Sequence, residues 1–362
     1  MSRLMGFIHD RVASAGHEVD YLCSDDVPPS WSGSLGRRFK FPMAVRRKAA
    51  EAEKEGRPYD IVNVHEPSAA PLVIGRRGLR SAVVVTSHGL ERRAWELAKE
   101  EGRLGRQGPG WRSRLTYPIS SLWPGAAALR HADHVFCLNE EDRAELMRGF
   151  GRCPSSVTRI HPGADEVYAR ASRHRRYVGV RRILFAASWR KNKGIEDLVP
   201  AFVNLAQLHP DMSLDVVGCG VSPEQVLAQF PSWLCGRIFF ASPEDEEGMA
   251  AAFAASDLFL LPSLFEGTPL TLIQAMMGSL PIVTTATCGM KDVIADGKTG
   301  LLVPVRSPEA IVSAVERLVG DVTLCQKLGL AARADALQRF TWDRAADPVL
   351  RAYESLDEQR PD

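Results

Sequence analysis

Glu266 stands directly before Gly267-Thr268-Pro269 in the stretch FEGTPLTLIQAMMGSLPIVTT (265–285), and Gln274 follows eight positions on. Thr268 suits a helix N-cap and Pro269 the first helical position. A helix opening there turns unpaired backbone N–H groups and the positive end of its dipole toward the carboxyl edge of the preceding strand, DLFLLPS, which makes an anion site. Gly267 lets the backbone approach a ligand closely. Glu266, just outside that pole, is placed to accept hydrogen bonds from sugar hydroxyls while the N–H groups hold a phosphate. Gln274 falls in the second turn, four residues after Leu270. The plainer alternatives are a surface acid that helps cap a helix, for Glu266, and a polar helix-surface residue, for Gln274.

A second cluster lies in ILFAASWRKNKGIEDL (183–198), where a buried strand runs into a polar loop and a helix begins near Gly194. Arg190, Lys191 and Lys193 gather at that strand's carboxyl end, where cations neutralise a diphosphate; an exposed basic loop is the alternative. In VVVTSHGLERRAWE, His88 ends a strand of the first half and is followed by Gly89, which puts an imidazole at the rim of a cleft; a purely structural histidine is the alternative. DVVGCGVSP approaches the dinucleotide-loop pattern G-x-G-x-x-G but has Pro223 at the third glycine, which disfavours an NAD dehydrogenase. No D-x-D pair occurs, so a metal-bridged diphosphate is not suggested, and neither G-x-S-x-G nor H-E-x-x-H is present. The seven cysteines are scattered and form no C-x-x-C, which argues for reduced thiols over a disulfide framework or a zinc site.

These residues need a scaffold of parallel strands. The first half repeats apolar run, loop and helical stretch, with strands expected at 18–23, 60–65, 82–88, 134–139 and 157–162. A basic, aperiodic segment at 169–182 reads as an interdomain linker. The pattern restarts at 183–188 and continues at 213–218, 237–242, 257–262, 281–285 and 300–305, with helices at about 194–208, 222–230, 246–255, 269–277, 289–295 and 308–319. Alternation of this kind implies α/β architecture: two doubly wound parallel-sheet domains, each binding ligand at the carboxyl ends of its strands and together making a deep cleft. The chain opens in an amphipathic helix, with Leu4, Phe7, Ile8 and Val12 at helical spacing and Gly16 placed to end it. The usual first strand and its glycine loop are therefore expected to be missing. Either an upstream Val/Ile-rich strand has been lost, or the sheet is incomplete, or a later segment fills the gap.

At 362 residues the chain is long enough for two domains. Residues 1–176 carry 29 Lys/Arg against 21 Asp/Glu, a net +8, and residues 177–362 carry 16 against 23, a net −7. Two units with different partners are implied, the basic one suited to an anionic acceptor or a membrane surface; a solvated Arg-rich surface is the alternative. The basic stretch GRRFKFPMAVRRK (36–48) is the candidate for lying on an anionic membrane, with a solvated helix face as the other reading. No apolar run is long enough to span a bilayer, and no leader pattern is seen, so a cytoplasmic location is expected.

The sequence resembles the retaining glycosyltransferase family 4, the glycosyl transferase group 1 class of GT-B fold, over nearly its whole length. FEGTPLTLIQAMMGSLPIVTTATCGMKDVIADGKTGLLVP is similar to the family's E-x7-E signature and its downstream segment. WRKNKGIEDLVPAF resembles its basic phosphate loop, and RIHPGADEVY the segment closing the first domain. FTWDRAADPVLRAYESL (340–356) resembles the terminal helix that crosses back. The domains so implied are 1–168 on the acceptor side, the linker 169–182, a donor-binding domain 183–340 and a crossing helix 341–362.

The resemblance implies roles. Glu266 touches the donor sugar near the reacting carbon; Gly267, Thr268 and Leu270 offer backbone contacts to sugar and diphosphate. Lys193 and Arg190 hold the diphosphate, position 274 binds ribose hydroxyls, and His88 contacts the sugar from the opposite domain. The family's second Glu is Gln274 here, and its usual Arg aligns with Ser188, so Arg190 substitutes from a shifted place. The expected activity is transfer of a sugar from a nucleoside diphosphate donor with retention, without a metal or cofactor and with no nucleic-acid partner. The alternatives are a weak or inactive nucleotide-sugar binding or partner protein, and a nucleotide-sugar epimerase.

Overall fold

The computed structural model describes residues 2–23, 26, 28, 39–76 and 78–359. They form two compact units, Met1–His161 with Ala345–Asp362, and Pro162–Arg344.

The first unit is built on four parallel strands, β1 (Ile61–His65), β2 (Ala82–Thr86), β3 (His134–Cys137) and β4 (Val157–Arg159), in the order β1-β2-β3-β4. β2 reads AVVVT and is buried at every residue, as a strand covered on both faces must be. Register pairs Val64 with Val85 and Val85 with Val135, so Val64, Val85 and Val135 lie side by side in the core. Among the described residues the order of this sheet follows the chain without reversing.

The expected strand at 18–23 does not form. None of its residues is buried, Tyr21 is exposed, and the Asp26 carboxylate accepts from the Cys23 N–H at 2.6 Å, taking a donor that a ladder would need. The opening helix does form, as Ser2–Ser14, with Leu4 and Ile8 buried and Gly16 left-handed just beyond it. Of the basic stretch 36–48, residues 36–38 lie outside the described residues, and the rest leads into the helix Phe41–Lys54. The chain's last helix, Trp342–Glu358, buries Ala345, Ala346, Val349 and Ala352, and Tyr353 on it accepts a 2.6 Å hydrogen bond from the Asn63 amide of β1.

The second unit holds β5 (Arg182–Ala186), β6 (Ser213–Val217), β7 (Ile238–Ala241), β8 (Leu258–Leu261), β9 (Ile282–Thr285) and β10 (Leu301–Val303) in the parallel order β10-β9-β8-β5-β6-β7. β6 and β7 lie on one side of β5, and β8, β9 and β10 on the other. The order therefore reverses between β5 and β8, and a doubly wound sheet takes its ligand at that switch point. Helices Ile195–Leu208, Pro308–Val319 and Val322–Arg339 help cover the sheet. Sequence periodicity does not mark the last of these, because exposed Leu330 and Leu337 blur the buried stripe of Cys325, Leu328, Ala332 and Ala336.

Residues 169–182 are not a free linker. The Arg175 guanidinium donates to the carbonyls of Gly278, Ser256 and Phe253, and buried Tyr168 donates to Glu246 at 2.7 Å. The Ala164 N–H reaches the Phe340 carbonyl at 2.9 Å. Within this basic segment Arg175 satisfies helix-end carbonyls, and the unit boundary falls earlier, at His161/Pro162.

Candidate active site

β5 and β8 are neighbours, and their following loops leave the switch point side by side. The loop after β5 makes a short 3-10 turn, Lys191–Lys193, closed by the Lys193 N–H to the Arg190 carbonyl at 2.9 Å. Gly194 ends it in the left-handed region at φ 74° and starts the helix Ile195–Leu208. A Cβ on Gly194 would lie 1.9 Å from the Pro262 carbonyl oxygen, so only glycine lets this loop press onto the one after β8. The Leu264 N–H to the Asn192 carbonyl at 2.8 Å stitches the two loops together.

That stitching brings Lys193 to Glu266. Lys193 Nζ pairs with Glu266 Oε1, and the Ser263 hydroxyl donates to the same oxygen at 3.0 Å. Both charged side chains are mostly buried, 20% and 12% exposed, so their attraction is less screened than on an open surface. Lys193 has three N–H donors, which leaves it donors for a second anion beside Glu266. Arg190, at the start of the same turn, is exposed, and its guanidinium makes no ion pair among the described residues.

The helix after Glu266 begins later than its sequence suggests. It runs Leu270–Met277 with Pro269, extended, at the N-cap, so Thr268 lies one residue outside the cap. Proline has no N–H, and the first donors of the helix are those of Leu270 and Thr271. Gly267 and Thr268 are buried in the loop before it. The helix Cys288–Val293 presses on that loop: a Cβ on Gly289 would lie 1.8 Å from the Gly267 carbonyl oxygen. Close approach here is thus made possible by Gly289.

Gln274 is buried, 3% exposed, and points at Glu246, the first residue of the helix Glu246–Ala255. Its amide donates to Glu246 Oε2 at 3.4 Å, and the Tyr168 hydroxyl donates to the same oxygen. Gln274 Oε1 is buried with no hydrogen-bond partner among the described residues. An orphaned acceptor of this kind costs about 1–3 kcal/mol and calls for a functional explanation. Sequence reading missed Glu246 because 28 residues separate it from Gln274 and no spacing links them.

His88 lies in the first unit, two residues past β2. Its Nε2 is 2.7 Å from Nδ1 of His65, the last residue of β1, so one ring donates to the other. Burial, then the neighbouring imidazole, pushes His88 down to about 3, and burial lowers His65. Both rings are neutral at physiological pH and act as hydrogen-bonding groups. His65 was legible in retrospect, since it ends DIVNVH as His88 ends VVVTSH.

Beneath them Glu66 accepts from the Ser87 hydroxyl at 2.8 Å, and burial raises its carboxyl to about 8 from an ordinary 4.5. The folded protein keeps a proton that the unfolded chain releases above pH 4.5. This stability is full below that pH and is lost as pH climbs toward 8. Glu66→Gln removes the loss. Urea melts should show the variant equal to wild type near pH 4.5 and more stable at pH 8 by on the order of 2–4 kcal/mol. Parallel pH profiles would rule out the buried neutral acid.

Comparison with known proteins decides the family. A model described as "Glycosyl transferases group 1" matches residues 180–321, and one described as "Glycosyltransferase Family 4" matches residues 5–167. The chain belongs to the group 1, family 4 glycosyltransferases. It is 23% identical over 344 residues to glycogen synthase of Mycobacterium tuberculosis, covering 94% of this chain and 79% of that one. It is 25% identical over 362 residues to phosphatidyl-myo-inositol mannosyltransferase of Mycolicibacterium smegmatis, covering 94% and 86%. Among solved structures, Anabaena Alr3699/HepE in complex with UDP-glucose matches with a TM-score of 0.65 and 17% identity, over 86% of this chain and 82% of that one. The transferase has the GT-B fold of its structural neighbours, with two parallel-sheet α/β units. No described helix is long and apolar enough to cross a membrane.

Proposed function

We propose that this transferase moves a sugar from a nucleoside diphosphate sugar to an acceptor hydroxyl, with retention at the anomeric carbon and without a metal. The observation that carries the reading is the meeting of Lys193 and Glu266 at the switch point of the second sheet. Lys193 and Arg190, with the first N–H groups of Leu270–Met277, hold the diphosphate; backbone groups of Gly267, Thr268 and Leu270 line sugar and phosphate. Glu266 accepts from the sugar hydroxyls, and neutral His88 is a further hydrogen-bonding group for the sugar. A HepE structure with UDP-glucose in a related fold supports a donor of this class.

In the reaction the bond between the anomeric carbon and the diphosphate oxygen breaks, and its electron pair stays on the diphosphate. The acceptor oxygen bonds to the carbon from the same face, and its proton passes to the departing phosphate oxygen. Lys193 and Arg190 stabilise the charge that develops, which is where preorganised cations lower a barrier most. The acceptor is a glycan, a lipid-linked molecule or a small molecule, and contact with the cytoplasmic face of a membrane belongs to the same reading.

The protein should be incubated with UDP-, GDP- and ADP-sugars in EDTA, and the product's anomeric configuration read by NMR. Transfer with retention is expected. Inversion, a demand for metal, or epimerised sugar without acceptor overturns the proposal. A donor-induced rise in melting temperature without turnover selects the rival, a non-catalytic nucleotide-sugar binder.

That rival draws support from Gln274, which replaces a carboxylate at the ribose position. Glu246 answers it: the charge absent from position 274 stands one hydrogen bond away, and Gln274 Oε1 remains as an acceptor beside it. Gln274→Glu would set two carboxylates side by side and hold one protonated. It should therefore weaken nucleotide binding at pH 7.5 by about 5–30-fold, roughly 1–2 kcal/mol. Adding Glu246→Gln should restore it. Calorimetry with UDP in which Gln274→Glu alone binds more tightly would remove Glu246 from the site.

A further inference from the structure

We infer that the transferase rests on an anionic lipid surface through the face of the continuous helical segment Trp111–His131 that carries Trp111, Leu115, Ile119 and Trp123. These four side chains are 69%, 66%, 73% and 63% exposed, a degree unusual for large apolar residues, and they recur every fourth position. The segment runs as α-helix over Trp111–Tyr117, as a wider π turn over Pro118–Leu122, and as α-helix again over Trp123–His131. The wider turn limits the drift that a four-residue spacing would otherwise accumulate, so the four stay on one side. Nothing in Trp111–Tyr117 is buried, while Gly125, Ala128 and Leu129 bury the far end in the unit. The helix is thus anchored at one end and bare at the other.

Charge selects the occupant. From residue 102 to 132 there are five arginines (Arg103, Arg106, Arg112, Arg114 and Arg130) and no Asp or Glu. Arg103, Arg112, Arg114 and Arg130 are exposed, and the Arg112 guanidinium sits 5.3 Å from the centre of the Trp111 ring. Tryptophan beside arginine on an amphipathic helix matches the headgroup boundary, with rings among acyl carbons and guanidinium groups on anionic phosphates. A second copy is a poorer partner, since a two-fold contact through this face would bring arginines against arginines. The described part of the basic stretch 36–48 is less suited. Arg46 donates to the Gly75 carbonyl, Arg47 pairs with Glu51, and Lys48 lies 3.4 Å from Asp20.

The inference gives a surface to the membrane contact of the proposed reading, and its test, lipid binding, can fail while sugar transfer stands. The full chain should be sedimented with phosphatidylcholine vesicles with and without phosphatidylglycerol. Binding is expected only with the anionic lipid, and should fall steeply as salt rises. Trp111→Ser with Leu115→Ser, in the part of the helix that buries nothing, should weaken it at least about 10-fold. Arg112→Glu with Arg114→Glu should weaken it by roughly 25-fold or more, about five-fold per charge. The inference is overturned by no binding to anionic vesicles at low salt, by unchanged binding of both variants, or by a dimer in sedimentation velocity that Trp111→Ser with Leu115→Ser dissociates.

Discussion

Lys193→Ala should lower the turnover of sugar transfer by about 10²–10³-fold, with a much smaller change in donor KM. Lys193 is the cation brought onto Glu266 by the stitched loops, and on the proposed reading it faces the leaving diphosphate as well. Binding the ground-state donor uses the N–H groups of Leu270–Met277 as well, and those survive the substitution. On the proposed reading, the charge that grows as the glycosidic bond breaks is left to Arg190, which is exposed and so more screened by solvent. The fold should tolerate the change, because Glu266 keeps the Ser263 hydroxyl. Steady-state kinetics on a soluble acceptor, with a melting curve as control, check this. Wild-type turnover from a folded variant would remove Lys193 from the chemistry.

Gly194→Ala should destabilise the second unit by about 3 kcal/mol and abolish most transfer. Two costs combine: a left-handed φ of 74°, worth about 1–2 kcal/mol to any Cβ, and a clash 1.9 Å from the Pro262 carbonyl oxygen, which overpacking series put at about 1–3 kcal/mol. Relief requires the two loops to part, which separates Lys193 from Glu266. Gly218→Ala is the control, since Gly218 has φ 62° but nothing within 4 Å of a built Cβ. It should pay the backbone cost alone and keep the loops in place. Denaturant midpoints that place the two variants together would refute the close approach as the reason for glycine at 194.

Strands β5, β6, β8 and β9 of the second unit were legible because each is a short apolar run buried on both faces, which length and apolar content report directly. The stretch 18–23 misled for the same reason: its composition is strand-like, yet a strand forms only where a partner edge and a covering face exist. The helix after Glu266 was placed one residue early because Thr-Pro suits an N-cap and first position, while the extended backbone at Pro269 makes the proline itself the cap. The segment 169–182 looked like a linker because basic residues without periodicity carry no mark of the helix-end carbonyls they satisfy.

What the amino-acid order determined by itself was local: most strand and helix identities, the loops that carry Lys193 and Glu266, and the family. Tertiary structure alone decided which of those residues meet. Lys193 and Glu266 are 73 positions apart, and Gln274 and Glu246 are 28 apart. Their contacts exist because the sheet order reverses between β5 and β8 and because helices pack across it. A contact between distant residues is fixed by strand order and by the glycines that let backbones close, neither of which leaves a periodic trace along the chain.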